Sequence, residues 1–195
     1  MTDWGQLYRD HVDAISALAP TLTEEQLATT VQATPQWTVH EVLAHLAGGA
    51  SDAVTGRMDG APSGEWTERH VGERRDHSVD QLLAELRGNE DALVETQADS
   101  PRPAFVWNIA VHHGDIHEAL GLPRLDERFW QPVTEALAPR FPDAMADVPP
   151  YELFRAGFSR RSRAQMQGWG TGLSAEELDE LCIFGPREDD QPVPA

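Results

Sequence analysis

The chain has 195 residues, of which 40% are apolar and 25% are charged, as expected for a globular protein with a core. Its formal net charge is −18, so phosphate backbones and anionic membrane surfaces repel it, and nucleic-acid and membrane binding are disfavoured. All 15 basic residues are arginine and Cys182 is the one cysteine, which excludes Schiff-base lysine chemistry and an intrachain disulfide.

The first segment of the chain predicts two helices. Over residues 3–19, apolar residues recur at spacings of three to five, which indicates an amphipathic helix. Pro20 ends it, because proline cannot continue the hydrogen-bond ladder. Thr23 and Gln26 have the spacing of a capping box and open a short second helix.

The next helix has the strongest start signal in the chain. Thr38 can cap it, with Glu41 three residues later as the reciprocal partner. Its apolar stripe continues to Ala53. Residues 56–77 are polar and rich in glycine, and we expect a long loop there, a feature that is often functional.

Two further long segments have a helical pattern. Ser78 and Gln81 begin a helix whose apolar side extends to Leu93. After a proline-marked break, residues 104–120 form a helix rich in apolar residues and histidine, which ends at Gly121. Both helices are long enough to join a bundle.

The remaining chain predicts shorter helices. Asp126 caps one, Pro149 precedes a weaker one, and Ser174 with Glu177 caps the last. Residues 184–195 contain three prolines and an acidic cluster and are expected to be an irregular tail.

No segment shows the alternation of β-branched residues that is typical of strands. We therefore predict an all-α fold, a bundle of four main helices with additional short helices. The bundle is expected over residues 1–140, and a short helical extension with the tail over residues 141–195. Residues 1–5 show no basic stretch followed by an apolar one, so a secretory signal is not expected, and no apolar run has transmembrane length. With one cysteine, a cytoplasmic location is expected.

The placement of the histidines carries most of the functional information. His45 lies at the edge of the buried stripe of the Thr38-capped helix. In the helix over residues 104–120, Asn108 and His112 are four residues apart and share a face. Two such groups and a histidine from a facing helix can build a metal site in a bundle. Neutral imidazole suits zinc, nickel or iron.

The alternative is that these histidines are structural. A histidine at a core edge, such as His45, is often only packed and hydrogen-bonded, and His113 with His117 can be a solvated pair. Four others have no supporting pattern and are expected at the surface: His11, His40, His70 and His77.

Two stretches of this sequence point to a known family. Residues 37–48 read WTVHEVLAHLAG, in which a tryptophan and a threonine open the helix and His45 precedes Leu-Ala-Gly. Residues 112–116 read HHGDI and are followed by ALGLP at residues 119–123. This pair of stretches resembles the two signatures of the DinB-like, mycothiol-dependent maleylpyruvate isomerase family.

The resemblance covers roughly residues 3–140 and implies a DinB-like four-helix bundle that holds a divalent metal, usually zinc. It implies His45 and His112 as two ligands. The third implied position, four residues before His112, is glutamate or histidine in the family and is Asn108 here. Arg75 is similar to an arginine that is usual ahead of the following helix.

The asparagine leaves alternatives open. A neutral amide is a poorer zinc ligand than carboxylate or imidazole, so the site is weak, or water completes it, or the metal is lost. A set of His45, His113 and His117 restores three histidines. It ranks second, because the spacing to the following aspartate fits only His112.

The resemblance implies a metal-dependent enzyme that uses mycothiol or a similar thiol in a transfer or isomerisation on a small electrophilic molecule. In this hypothesis the metal on His45 and His112 holds the sulfur as a thiolate. Arg75 pairs with a substrate carboxylate, and Asp115 orients an imidazole.

The second hypothesis is a non-catalytic protein with a degenerate metal site that binds a small molecule or acts as a homodimer. Asn108 distinguishes the two, because a catalytic metal normally has three good protein ligands. Residues 141–195 are not assigned to the separate C-terminal domain of the isomerase proper, so the substrate stays open.

Overall fold

The computed structural model describes residues 2–97, 100 and 102–187. Within these residues the regular structure is helical, with isolated bridges between Thr30 and Thr38 and between Ser162 and Arg187. The prediction of an all-α fold is confirmed, and the arrangement is consistent with a DinB-like bundle. The chain divides into two compact units, Met1–Leu120 and Gly121–Ala195. The boundary expected at residue 140 stays a prediction.

The first unit contains the bundle. Its helices are α1 (Trp4–Leu18), α2 (Glu24–Leu27), α3 (Val39–Thr55), α4 (Gly64–Glu73), α5 (Val79–Gly88), α6 (Glu90–Gln97) and α7 (Ala104–Ala119). Helix α3 packs against α4, α5 and α7, and α1 packs against α6 and α7. The contacts between them are apolar and almost fully buried, and include Val12, Ile15, Val39, Val42, Leu82, Leu93, Val106 and Ile109.

Helix starts follow the predicted caps. The side chain and backbone of Thr38 pair reciprocally with Glu41 at the start of α3, and the backbone N–H of Thr38 donates to the Glu41 carboxylate at 2.8 Å. The same reciprocal box begins α5 at Ser78. Each box satisfies backbone N–H groups that a helix start leaves without an intrahelical acceptor.

Two predictions for this unit were wrong. Residues 56–77 are not a loop throughout, because Ser63 caps α4 over Gly64–Glu73. The inner face of α4 is formed by Trp66, His70 and Val71, so the apolar periodicity is too sparse to indicate a helix. The helix predicted from Ser78 through Leu93 is two helices, since α5 ends at Gly88 and α6 begins at Glu90.

The second unit consists of short helices, α8 (Glu127–Leu137), α9 (Pro150–Gly157), α10 (Arg163–Gln167) and α11 (Ala175–Leu181). Helices α8 and α9 pack together, and α10 packs against α11. Helix α10 was not predicted, although Ser162 and Gln165 form a capping box there. Most of the predicted tail, residues 188–195, lies outside the described residues.

Cys182 is buried among the apolar side chains of this unit. Burial, followed by the charge of Asp179, raises the pKa of its thiol, which keeps it protonated and unreactive at neutral pH. In the part of the chain that the structure describes, no helix combines the length and the apolar character needed to cross a membrane.

Candidate metal centre

Three helices of the bundle bring histidines to one buried place. His45 on α3, His70 on α4 and His112 on α7 are each at most 5% exposed. The ring centroids of His45 and His112 are 4.9 Å apart, and those of His45 and His70 are 5.3 Å apart. Thr38 caps α3, and His45 lies on the buried face of that helix.

The predicted ligand positions meet here. Asn108 lies one turn before His112 on α7, and its Nδ2 is 3.2 Å from Nε2 of His45. Asn108 is half-buried, whereas His45 and His112 are buried. The structure therefore gathers His45, Asn108 and His112 on one side of α7, with the amide nearest to solvent.

A chain of buried polar groups extends behind His45. Nδ1 of His45 lies 3.2 Å from Nδ1 of His70. Nε2 of His70 lies 2.9 Å from Oδ2 of Asp52, and Nη2 of Arg69 donates to the same oxygen at 2.6 Å. Asp52 is on α3, two helical turns after His45, so both side chains lie on one face of that helix.

The charge states of Asp52 and His70 follow from the groups around them. Burial, the largest influence, raises the pKa of the Asp52 carboxyl, but hydrogen bonds from Arg69 and His70 outweigh it, and that pKa is lowered overall. Burial lowers the pKa of His70 and outweighs its attraction to Asp52. At neutral pH, Asp52 is therefore ionised and His70 is neutral.

His112 also has a carboxylate on its Nδ1 side. Nδ1 of His112 lies 2.9 Å from Oδ2 of Asp115, which is one turn further along α7 and fully buried. The contact has ion-pair distance without the alignment of a good hydrogen bond. A carboxylate on this side of an imidazole is the arrangement found in carboxylate–histidine–metal sites.

Two tryptophans lie against the imidazoles. The ring centroid of Trp37 is 4.9 Å from that of His45 and 5.9 Å from that of His112. Trp66 packs edge-on to His70 with centroids 4.1 Å apart, and its indole N–H donates to the carbonyl of Arg57 at 3.2 Å. Aromatic walls of this kind exclude water, which strengthens electrostatic interactions inside the site.

The second histidine pair faces a different helix. Nδ1 of His113 lies 3.0 Å from Nδ1 of His11 on α1, and the rings of His113 and His117 contact each other at 5.0 Å. His112, not His113, lies beside His45. The geometry therefore favours His112 over the second-ranked set that contained His113 and His117.

The surface location expected for two histidines was wrong. His11 and His70 are both fully buried, whereas His40 and His77 are partly exposed. Both buried histidines contact another histidine from a helix far away in the chain, so local spacing gives no indication of their burial.

The arginine predicted for substrate binding is exposed. Arg75 lies just after α4, whereas the preceding Arg74 is buried, pairs with Glu85 at 2.5 Å and donates to the backbone carbonyl of His70 at 3.2 Å. Arg74 is thus the arginine in contact with the backbone of the histidine cluster. The role of Arg75 stays a prediction.

The donor set decides how well a metal fits. Among residues 2–97, 100 and 102–187, no group of three or more His, Cys, Asp or Glu side chains is arranged to hold a metal ion. His45 and His112 supply two imidazoles, and Asn108 supplies an amide whose oxygen and nitrogen exchange places by rotation. These residues offer a divalent metal at most two strong ligands and one weak ligand.

Acid should destabilise the bundle through His113. Burial, followed by the charges of His11 and His117, lowers the pKa of His113 well below its usual 6.5. The unfolded chain then binds this proton more readily, so stability is full above pH 6.5 and falls as the pH decreases towards the folded pKa. The slope is up to about 1.4 kcal/mol per pH unit.

Urea unfolding at several pH values checks this expectation. His113→Gln should flatten the acid side of the stability profile. His77→Gln is the control, because that side chain is only half-buried, and it should keep the wild-type slope. Equal slopes for wild type and His113→Gln would contradict a link between protonation of His113 and the stability of the bundle.

Sequence reasoning missed Asp52, His70 and the packing of Trp37 against the imidazoles, whereas Trp66 was among the tryptophans considered as pocket walls. One signal was present, since Asp52 follows His45 by two turns on the same helix face.

For comparison with known proteins, a family model described as the mycothiol maleylpyruvate isomerase N-terminal domain matches residues 8–127, more than half of the chain. No curated protein and no solved structure matches the chain.

Proposed function

Because the chain belongs to the mycothiol maleylpyruvate isomerase N-terminal domain family, we propose that it is a metal-dependent enzyme that uses mycothiol or a thiol of that type. It transfers the thiol to a small electrophilic molecule, or isomerises such a molecule with its help. The observation that carries the proposal is the pairing of His45 and His112 with their ring centroids 4.9 Å apart, each with a polar partner at Nδ1.

The residues have distinct tasks in this proposal. His45 and His112 would hold the metal, with the Asn108 amide or a water as the weaker third ligand. When bound, the metal supplies a Lewis acid that lowers the pKa of a thiol sulfur, so that thiolate forms at neutral pH. Zinc suits imidazole ligands, with nickel and iron as alternatives.

Other side chains act around these ligands. Asp115 holds the ring of His112 in place from its Nδ1 side. Trp37 covers both imidazoles and keeps bulk water from the sulfur. Arg75, exposed beside α4, is the candidate partner for a substrate carboxylate. We place this chemistry in the cytoplasm, in keeping with the single cysteine.

The second candidate is a non-catalytic binding or dimerising protein, and Asn108 favours it. Without a third strong ligand, the metal is held weakly, and in this candidate the polar cluster around His45 and His112 binds a small molecule without catalysing a reaction. This candidate shares the family and the fold with the first.

One experiment separates the two candidates. The full chain is titrated with Zn²⁺, mycothiol is added, and the ultraviolet absorbance of thiolate is followed, with and without a chelator. Metal-dependent thiolate, followed by conjugation in a panel of small epoxides and unsaturated acids, supports the enzyme. Binding of zinc with neither thiolate nor conjugation would overturn the catalytic proposal and leave the binding protein.

Restoring a strong ligand at position 108 should tighten metal binding. Asn108→His adds an imidazole within reach of His45, and we expect Zn²⁺ affinity to rise by at least about tenfold in competition titrations with a chromophoric chelator. Asn89→His is the matched control, because Asn89 lies between α5 and α6 and hydrogen-bonds to Glu85 there. Equal affinities for both variants would contradict the placement of the third ligand.

A further inference from the structure

The hydrogen-bond partners of Asp52 and His70 determine which of their atoms carry protons. Asp52 accepts a 2.6 Å hydrogen bond from Arg69, and as a carboxylate it has no proton to give. Nε2 of His70 is 2.9 Å from the same carboxylate oxygen. Nε2 of His70 must therefore carry a proton and donate it to Asp52.

His70 has no reason to carry a second proton. Its side chain is fully buried, and the Asp52 carboxylate is already paired with Arg69. The guanidinium of Arg74 is near as well, and donates to the backbone carbonyl of His70 at 3.2 Å. A buried imidazolium between two arginines and one carboxylate is unfavourable, so Nδ1 of His70 is a lone pair.

The position of the proton between His45 and His70 follows from this. The two Nδ1 atoms of His45 and His70 are 3.2 Å apart, and two lone pairs facing each other at that distance would repel. His45 must therefore carry its proton on Nδ1 and donate it to His70. In the neutral ring, Nε2 then carries the lone pair, and it lies 3.2 Å from the Asn108 amide nitrogen.

We propose that Asp52, acting through His70, holds His45 in the Nδ1–H tautomer and thereby directs the Nε2 lone pair of His45 towards Asn108 and His112. His70 is a positioning residue, because it acts through the ligand histidine His45. The use of this lone pair for a metal rests on the proposed function, but the tautomer itself does not need a metal.

The close approach of α4 to α3 supports a specific role for His70. At Gly48, a Cβ atom would lie 2.6 Å from Cβ and 2.7 Å from Cγ of His70. At the next residue, Gly49, the nearest side-chain atom would be 3.7 Å away, an ordinary contact. Because residue 48 of α3 is glycine, His70 can approach the α3 backbone closely at this point and contact His45.

The test is the tautomer of His45 in the metal-free full chain. Protein labelled with ¹⁵N is stripped with a chelator, and long-range ¹H–¹⁵N correlation spectra are recorded above pH 7. The His45 ring signals are assigned by their loss in His45→Gln. We expect protonated Nδ1 and unprotonated Nε2, whereas a proton on Nε2 in the wild type would overturn the proposal.

Two variants at position 70 test the relay. His70→Phe keeps a ring beside Trp66 but removes the acceptor, and His45 should lose its single tautomer. His70→Asn keeps an acceptor oxygen near the position of Nδ1, and should preserve the Nδ1–H form at least in part. A pure Nδ1–H tautomer in His70→Phe would show that another group holds His45 and would overturn the proposal.

Metal affinity gives a second readout that separates this proposal from the proposed function. Loss of an outer hydrogen-bond partner typically weakens metal binding by about 10- to 100-fold, and we expect that loss in His70→Phe. If the wild type binds no metal but shows the Nδ1–H tautomer, the relay holds and the proposed function fails. If metal binds while the wild-type proton is on Nε2, the relay fails and the function stands.

Discussion

His45→Ala and His112→Ala are each expected to remove tight metal binding from the purified chain. Each variant takes away one of the two imidazoles whose ring centroids lie 4.9 Å apart, and leaves an amide and one imidazole. The loss should exceed the about 10- to 100-fold that removal of an outer partner costs, because a direct ligand is lost. Elemental analysis after dialysis, followed by Zn²⁺ titration, measures it.

His117→Ala is the matched control for this pair. His117 is on the same helix as His112 and contacts His113, on the side of α7 that faces His11. It should retain the wild-type metal content. Metal kept in His112→Ala but lost in His113→Ala and His117→Ala would show that the other face of α7 holds the ligands.

Gly48→Ala is expected to destabilise the bundle, against the usual effect of alanine in a helix. A methyl group there would meet Cβ and Cγ of His70 at 2.6 and 2.7 Å and Nη1 of Arg74 at 2.8 Å. The first two atoms are close to the α4 backbone and cannot rotate away, so α4 must shift. Overpacking of this kind costs about 1–3 kcal/mol, which urea unfolding monitored by circular dichroism would measure.

Gly49→Ala provides the control one residue away in the same helix. Its methyl group would make only ordinary contacts at 3.7–3.9 Å, with Phe105, His70 and Trp66. Removing a glycine from a helix interior stabilises it by up to about 1 kcal/mol. The two variants should thus differ in sign, and equal midpoints would show that α4 can move without cost.

The Gly48→Ala substitution is also expected to affect the candidate metal centre. If α4 moves, His70 leaves the position from which it accepts the Nδ1 proton of His45, and zinc affinity should fall with stability. Gly49→Ala should leave zinc affinity at the wild-type value, since its contacts are ordinary.

Local rules predicted most of the helices correctly. The Thr38–Glu41 and Ser78–Gln81 boxes are recognisable because a cap needs only residues three apart. The resemblance to the family signature favoured His112 over His113, and the structure places His112 beside His45, although the choice of ligands stays a prediction. Helix α4 was missed because its inner face contains a histidine where a periodic pattern needs an apolar residue.

The helical class, the capped helix starts, the family and the positions of His45, Asn108 and His112 on their helices could be predicted from the sequence, because each depends on neighbours within a few turns. The groups behind His45 could not, because long-range packing brings them there. His70 reaches His45 from α4, 25 residues further along the chain. That contact depends on a packing distance at Gly48, which no spacing within one helix encodes.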